Sequence, residues 1–366
     1  MNTTPPSLAV SPERLWRWLH RRCPWILRGC AVPYGAIAGW RRTAYQRGWL
    51  PQLRLPKPVI SVGNMTVGGT GKTPLVMWVA ARLHERGKRV AILSRGYGRQ
   101  RSGVNRLVSN GLSLKGDWRS VGDEAMLMAH KCPWAIVAVG TDRYRLGQWV
   151  LDQASCDCFL LDDGFQHLSL YRDLDLLLFD ATDVEGLNGV VPAGRMREPL
   201  CAAKLATTIV FSRTERNVSV ASLQNRIEQS VGKSIVPLHL ETEPEIFTHI
   251  ATGETQQAWA FKDSSCLIFS GIGNPASFRS TVVSCGLTVG EEVRYPDHFA
   301  YSEKDVEAIR VKMGRSGLAL AITTEKDALK IKEHLKRDDP LWSLDVQVRM
   351  TQGEDELREQ LHAICP

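Results

Sequence analysis

The sequence predicts an α/β protein with a mostly parallel sheet covered by helices on both faces, a smaller α/β unit behind it and an amphipathic helical segment in front. Three observations carry that prediction. Short apolar runs at 58–62, 89–94, 135–139, 158–162 and 174–179 alternate with helical stretches, a glycine-rich loop follows the first run, and paired aspartates end the fourth. At 366 residues the chain exceeds what one core usually serves. The expected parts are residues 1–50, 51–235 and 236–366.

The first part is set apart by charge. The chain carries a net charge of +7, and residues 1–50 hold eight arginines against the single acid Glu13, which leaves 38 basic and 38 acidic groups in the remainder. Five of the eleven tryptophans (Trp16, Trp18, Trp25, Trp40, Trp49) fall in the same segment. In SPERLWRWLHRRCPWILRGC, Ser11 suits a helix cap and Pro12 a first turn, while Leu15, Trp18, Leu19 and Ile26 recur at helical spacing. Pro24 is expected to break or kink that helix, with a second one near Tyr34 to Tyr45.

Arg28 and Pro33 interrupt the longest apolar stretch, so neither a signal peptide nor a spanning helix is expected. Indole rings with arginines suit the headgroup depth of an anionic membrane surface better than a helix packed on the core with a solvated basic face, or than nucleic acid. No nucleic acid and no obligate protein partner is inferred. Nine scattered cysteines without metal-site spacing fit a reducing compartment.

The core opens on the run Lys57 to Val62, and the stretch SVGNMTVGGTGKTP (61–74) leads into the helical Pro74 to Leu83. Strand, glycine loop and helix form the context of a phosphate loop, so the sheet is expected to be of the P-loop NTPase type. Thr66, Val67, Gly68, Gly69, Thr70, Gly71, Lys72 and Thr73 are the candidate nucleotide-binding residues. Backbone N–H groups would cradle phosphate, Lys72 would reach the outer phosphates, and Thr73 would ligate Mg²⁺. The strict template places glycine where this chain has Thr66. The GKS at 232–234 lacks a glycine-rich loop before it and is read as a decoy.

The strand Arg89 to Ser94 runs into Arg95-Gly96-Tyr97-Gly98, which places Arg95 at a strand end, where open α/β sheets bind ligands. Val121-Gly122-Asp123-Glu124 precedes an apolar helix, and Asp123 suits either a helix cap or catalysis. Cys158 to Asp162 is an apolar strand ending in Asp162-Asp163, the usual Mg²⁺ partner of a phosphate loop, and Gln166 and His167 follow as candidate substrate contacts. The 190–199 loop offers Arg195 and Arg197, and Tyr295 to Phe299 offers His298. The second unit is expected to begin near Leu267, to contain a strand at 317–323 and to end in a helix at 355–363.

In combination SVGNMTVGGTGKTP, SRGYG, GDEA, LLDDGFQH, PAGRMREP, FSGIGNP, PDHFAYS and TTEKDA, in that order from 61 to 328, resemble the tetraacyldisaccharide 4'-kinases of lipid A biosynthesis. In that family Thr66 is ordinary. The resemblance implies transfer of the γ-phosphate of ATP, with Mg²⁺, to the 4'-hydroxyl of an acylated disaccharide 1-phosphate lipid at the cytoplasmic face of the bacterial inner membrane, by a peripheral protein. It implies Asp123 as base with His298, Asp162 and Asp163 as organisers of Mg²⁺, and Lys72 with Arg197 or Arg195 as neutralising cations. The alternative is a switch-type nucleotidase such as a GTP-driven metal chaperone or assembly factor. That reading wants an N-K-x-D motif, and Thr324-Glu325-Lys326-Asp327 has the wrong order.

Overall fold

The structure, a computed structural model, describes residues 22–100, 103–215 and 220–366. The expected first amphipathic helix, up to residue 21, lies outside them. The expected second one begins earlier than Tyr34, because helix α1 runs from Pro24 to Gln46. Pro24 opens this helix, and because Arg22 is helical and Cys23 is not, the helical run is broken just ahead of Pro24, as expected. At the first turn its missing N–H has no partner to lose, and Pro33 is carried inside the helix.

The core strands are β1 (Val59–Asn64), β2 (Val90–Ser94), β3 (Arg106–Asn110), β4 (Ile136–Val139), β5 (Cys158–Asp162), β6 (Leu174–Asp180), β7 (Thr208–Ser212) and β8 (Leu238–His249). They are followed by β9 (Thr255–Gln257), β10 (Ser265–Ser270), β11 (Thr288–Arg294), β12 (Leu320–Thr324) and β13 (Leu341–Gln352). Among the described residues all belong to one sheet, ordered β11-β10-β12-β13-β8-β7-β6-β1-β5-β2-β4-β3, with β9 paired to β8.

Strands β8, β7, β6, β1, β5, β2 and β4 are parallel, and so are β11, β10, β12 and β13. The two blocks meet at the antiparallel pair β13/β8, where both strands are 12 residues long. Direction therefore reverses once in mid-sheet.

The apolar runs form strands because both of their faces are covered, as β1, β2, β5, β6 and β7 are buried throughout. Side chains alternate between layers. Ile92 and Leu160 pack beneath α2 (Lys72–Glu85), through Leu75, Val79 and Leu83, and α4 (Asp123–Lys131), through Met128, which follows the short α3 (Trp118–Val121). Ala91, Leu93, Phe159 and Leu161 face the opposite layer, where α5 (Arg143–Gln153) adds Leu146 and Val150.

In the other block, helices α7 (Pro275–Ser284) and α8 (Glu303–Arg315) pack on opposite faces, α9 (Glu325–Ile331) shares the face of α8, and α6 (Val220–Val231) packs against the 3₁₀ turn Leu200–Leu205 of the first block. The last helix, α10 (Glu354–Ile364), returns across the seam, placing Leu357 and Leu361 in the cluster that contains Ile60 and Leu160.

Candidate active site

The loop after β1 ends at Gly71, whose φ of 87° lies in the left-handed region, and α2 begins at Lys72. Lys72 and Thr73 are thus the first helical residues, and their N–H groups are among those that a helix cannot satisfy internally. The surroundings fix the loop from two sides. Val67 N–H donates to Arg195 O at 2.8 Å and Arg197 N–H to Met65 O at 2.7 Å, while Ser212 Oγ donates to Thr70 O at 2.8 Å and Arg213 to Gly69 O at 2.9 Å. Beneath it, a Cβ on Gly63 would stand 2.5 Å from that of Phe165, so only glycine fits. Thr66 pairs with Met196 in a short antiparallel bridge and is 5% exposed, which explains why a side chain is accommodated there. Residues 67–73 line the cavity and Thr66 does not.

Val62 and Asp162 are register partners on β1 and β5, which brings the acidic strand tip beside the root of the loop. Ser94 Oγ donates to Asp162 Oδ2 at 2.8 Å, whereas Oδ1 is buried without a hydrogen-bond partner. Burial, Glu124 and Asp163 push the Asp162 carboxyl up to about 6. Asp163 behaves otherwise. Burial would raise its pKa, but Lys72 Nζ at 3.7 Å and Arg197 at 2.7 Å outweigh that and lower it. Lys72 also donates to Asn64 Oδ1 at 3.2 Å, and Arg197 to Gln166 Oε1 at 3.2 Å. Arg195 turns outward to Asp183 at 2.6 Å, so Arg197 is the arginine of this loop that reaches the cavity.

Asp123 is not a helix cap. Gly122 holds that position, and the Asp123 carboxylate, which also accepts the Glu124 N–H at 2.9 Å, contacts His298, whose Nδ1 lies 2.9 and 3.1 Å from its two oxygens. Burial would raise the pKa of this acid, which is 4% exposed, but the His298 contact, Lys326 at 3.7 Å and Lys330 at 3.5 Å hold it well below the carboxylate range. His298 lines the cavity and Asp123 stands behind it. Four non-glycine residues among those described have positive φ, and Asp163 (55°), Arg213 (61°) and His298 (59°) are three of them, all facing the cavity.

Arg95, Gln166 and His167 also line the cavity. Gln166 donates to Asn64 O at 3.0 Å, and His167 receives the Arg143 N–H at 3.3 Å. Burial and Arg143 push the His167 imidazole down to about 4. Sequence reasoning missed Arg143, Arg213 and Lys326, which share this wall, and only TTEKDA among the quoted motifs pointed to one of them. The decoy lysine, Lys233, follows Gly232, whose φ of 73° ends α6.

The cavity of about 1060 Å³ lies between the blocks, with the loop of β1 facing Gly273 and Asn274. A helix N-terminus for phosphates opposite a histidine with an ionised partner is the layout of a nucleotide-dependent phosphotransferase of the P-loop class. The profile of the tetraacyldisaccharide-1-P 4'-kinase family (LpxK) matches residues 23–365. The chain is 36% identical over 319 residues to the tetraacyldisaccharide 4'-kinase of Geobacter sulfurreducens, covering 87% of each chain. It is 34% identical over 360 residues to that of Anaeromyxobacter sp. strain Fw109-5, covering 96% of this chain and 95% of the relative. The crystal structure of LpxK from Aquifex aeolicus in complex with ATP superposes with a TM-score of 0.75 at 32% identity, over 96% of this chain and 100% of that one.

The chain belongs to the tetraacyldisaccharide-1-P 4'-kinase family, and its activity is that of a lipid A 4'-kinase acting on a lipid A precursor. That membership sets the switch-type nucleotidase aside.

Proposed function

We propose that ATP is the phosphoryl donor, that its phosphates rest on residues 67–73, and that His298 takes the proton of the acceptor's 4'-hydroxyl. The single observation that carries this is the Asp123–His298 pair, which faces Lys72 and Arg197 across one cavity. Asp123 occupies Nδ1, which leaves Nε2, 3.8 Å from Asp297 Oδ2, as the nitrogen for a hydroxyl; in such roles a positioned base contributes roughly 10²–10⁴-fold. Lys72 and Arg197 stand where charge develops on the transferred group.

Mg²⁺ fits the residues present: Asp162 offers a buried oxygen without a partner, and Thr73 lines the same cavity. Asp163 already pairs with two cations, so Asp162 is the stronger ligand. Bound there, Mg²⁺ would neutralise phosphate charge. Arg95, Gln166 and His167 are proposed to meet the acceptor.

The membrane reading is supported by α1, whose Trp25, Val32, Ile37 and Trp40 are 61–73% exposed. Tyr34, Ile37 and Arg41 of the same helix line the cavity mouth, so an acceptor seated in lipid would enter from that side. No helix among the described residues is long and apolar enough to cross a membrane. The exposed apolar side chains of α1 suit a peripheral seat, proposed on the cytoplasmic face of the inner membrane as the family resemblance implies. One of the eight N-terminal arginines is withdrawn from that role: Arg42 is buried, pairing with Glu198 at 2.5 and 2.8 Å. The parts 51–235 and 236–366 are proposed as lobes, with β8 (Leu238–His249), at the start of the second part, continuing the parallel strands of the first and meeting β13 at the reversal.

Incubation of the protein with labelled ATP, Mg²⁺ and a tetraacyldisaccharide 1-phosphate in detergent tests the whole reading. Folded protein that yields no labelled lipid refutes it.

A further inference from the structure

Lys330 is fully buried, 0% exposed, and so is its partner Asp327 one helical turn away on α9. Such a pair usually means local neutralisation, but this one belongs to a closed circuit. Lys330 Nζ lies 2.8 Å from Asp327 Oδ1 and 3.5 Å from Asp123 Oδ2. Asp327 Oδ2 accepts the Gly271 N–H at 2.9 Å, and Gly271 O accepts the backbone N–H of His298 at 3.1 Å. His298 closes the ring on Asp123 at 2.9 Å. The same lysine thus contacts the carboxylate that holds the imidazole and the aspartate that fixes the backbone presenting it. A lysine needed only to neutralise Asp327 would have no reason to reach Asp123.

We propose that Lys330 is a positioning residue for phosphoryl transfer: it bridges Asp327 and Asp123, keeping the Asp123 carboxylate ionised and aligned on His298. The proposal rests on the reading of His298 as proton acceptor. Asp123 faces His298, Lys326 and Lys330, with Glu124 and Asp297 on the far side of Lys326, Asp297 also 3.8 Å from His298 Nε2, and Asp327 behind Lys330. Lys326 borders the cavity, where solvent and substrate compete for it; Lys330 is sealed and its charge acts undiluted.

The test uses the full chain, with kcat, KM for ATP and the pH profile of kcat measured for Lys330→Met, Asp123→Asn and the double variant. Lys330→Met is expected to lower kcat about tenfold or more, to leave KM for ATP within about twofold, and to move the acidic limb of kcat upward by about one pH unit. In the double variant the loss should stay close to that of Asp123→Asn alone, since the charge of the lysine acts on His298 through that carboxylate. An unchanged pH profile, or losses that multiply in the double variant, would overturn the proposal. A normal kcat for Asp123→Asn would instead overturn the proton-acceptor reading beneath it. Should Lys330→Met not fold, Lys330→Gln removes the charge while keeping a polar group beside Asp327, and the same shift of the acidic limb is expected from it.

Discussion

His298 Nδ1 lies 2.9 Å from Asp123 Oδ1 although 175 positions separate them, so a loop of one block completes a group on the first helical turn of the other. Asp123→Asn should lower kcat roughly a hundredfold or more with little change in KM for ATP, as steady-state kinetics will show. Its pH behaviour follows from the depressed carboxyl. The folded pKa lies below the unfolded one, so the stability that Asp123 contributes is present above the ordinary carboxylate range and is lost as pH falls through the folded value. Acid-side unfolding of the variant should therefore depend less steeply on pH.

Asp162 has the opposite sign. With its folded pKa raised to about 6, the advantage of the protonated form is present below the unfolded value and is lost between about 4 and 6 as pH rises. Without Mg²⁺, Asp162→Asn should raise the Tm at pH 7 by a few degrees while abolishing Mg²⁺-dependent kinase activity. Differential scanning calorimetry beside the activity assay checks both; a lower Tm would contradict the burial argument.

Glu198→Ala strands the Arg42 guanidinium in a site where both side chains are at most 7% exposed. Breaking a buried pair by removing one partner costs about 3–5 kcal/mol, whereas replacing both by apolar groups is often neutral. Urea unfolding should show that loss for Glu198→Ala and substantial recovery for Arg42→Met with Glu198→Leu. Deleting residues 1–48 removes Arg42 too, so that deletion would confound membrane binding with destabilisation.

The cleaner membrane test is Ile37→Glu with Trp40→Glu, since both side chains are more than 60% exposed and support no core. Sedimentation with anionic vesicles should show several-fold weaker binding at unchanged Tm. Retained binding would mean that this face of α1 does not meet lipid.

The parallel strands and the loop motifs were legible because doubly covered strands write themselves as apolar runs and phosphate loops as glycines. Strands β8 and β13 were not. LHLETEPEIFTH and LWSLDVQVRMTQ mix charges and a proline into half-buried strands, and neither has a clean alternation. Pro24 marked the break correctly, but the start of the next helix was placed ten residues late, near Tyr34, because proline is read as a breaker before it is read as a first-turn residue. In the site, Asp162 could be read from its strand, but Lys326 and Lys330 sit four apart on a helix, the spacing of an ordinary solvated face, and only the fold turns both toward Asp123. Arg42 and Glu198, 156 positions apart, leave no local signal at all.

The seam at β13/β8 also bears on how the protein is made. Until β13 is synthesised, the first block ends in the bare edge of β8 and the second in the bare edge of β12, since β13 is the strand that pairs with both. Unpaired strand edges invite pairing with other chains, and contacts this distant in sequence close slowly. The edge of β8 therefore stays bare from residue 249 and that of β12 from residue 324, until β13, beginning at residue 341, seals both at once.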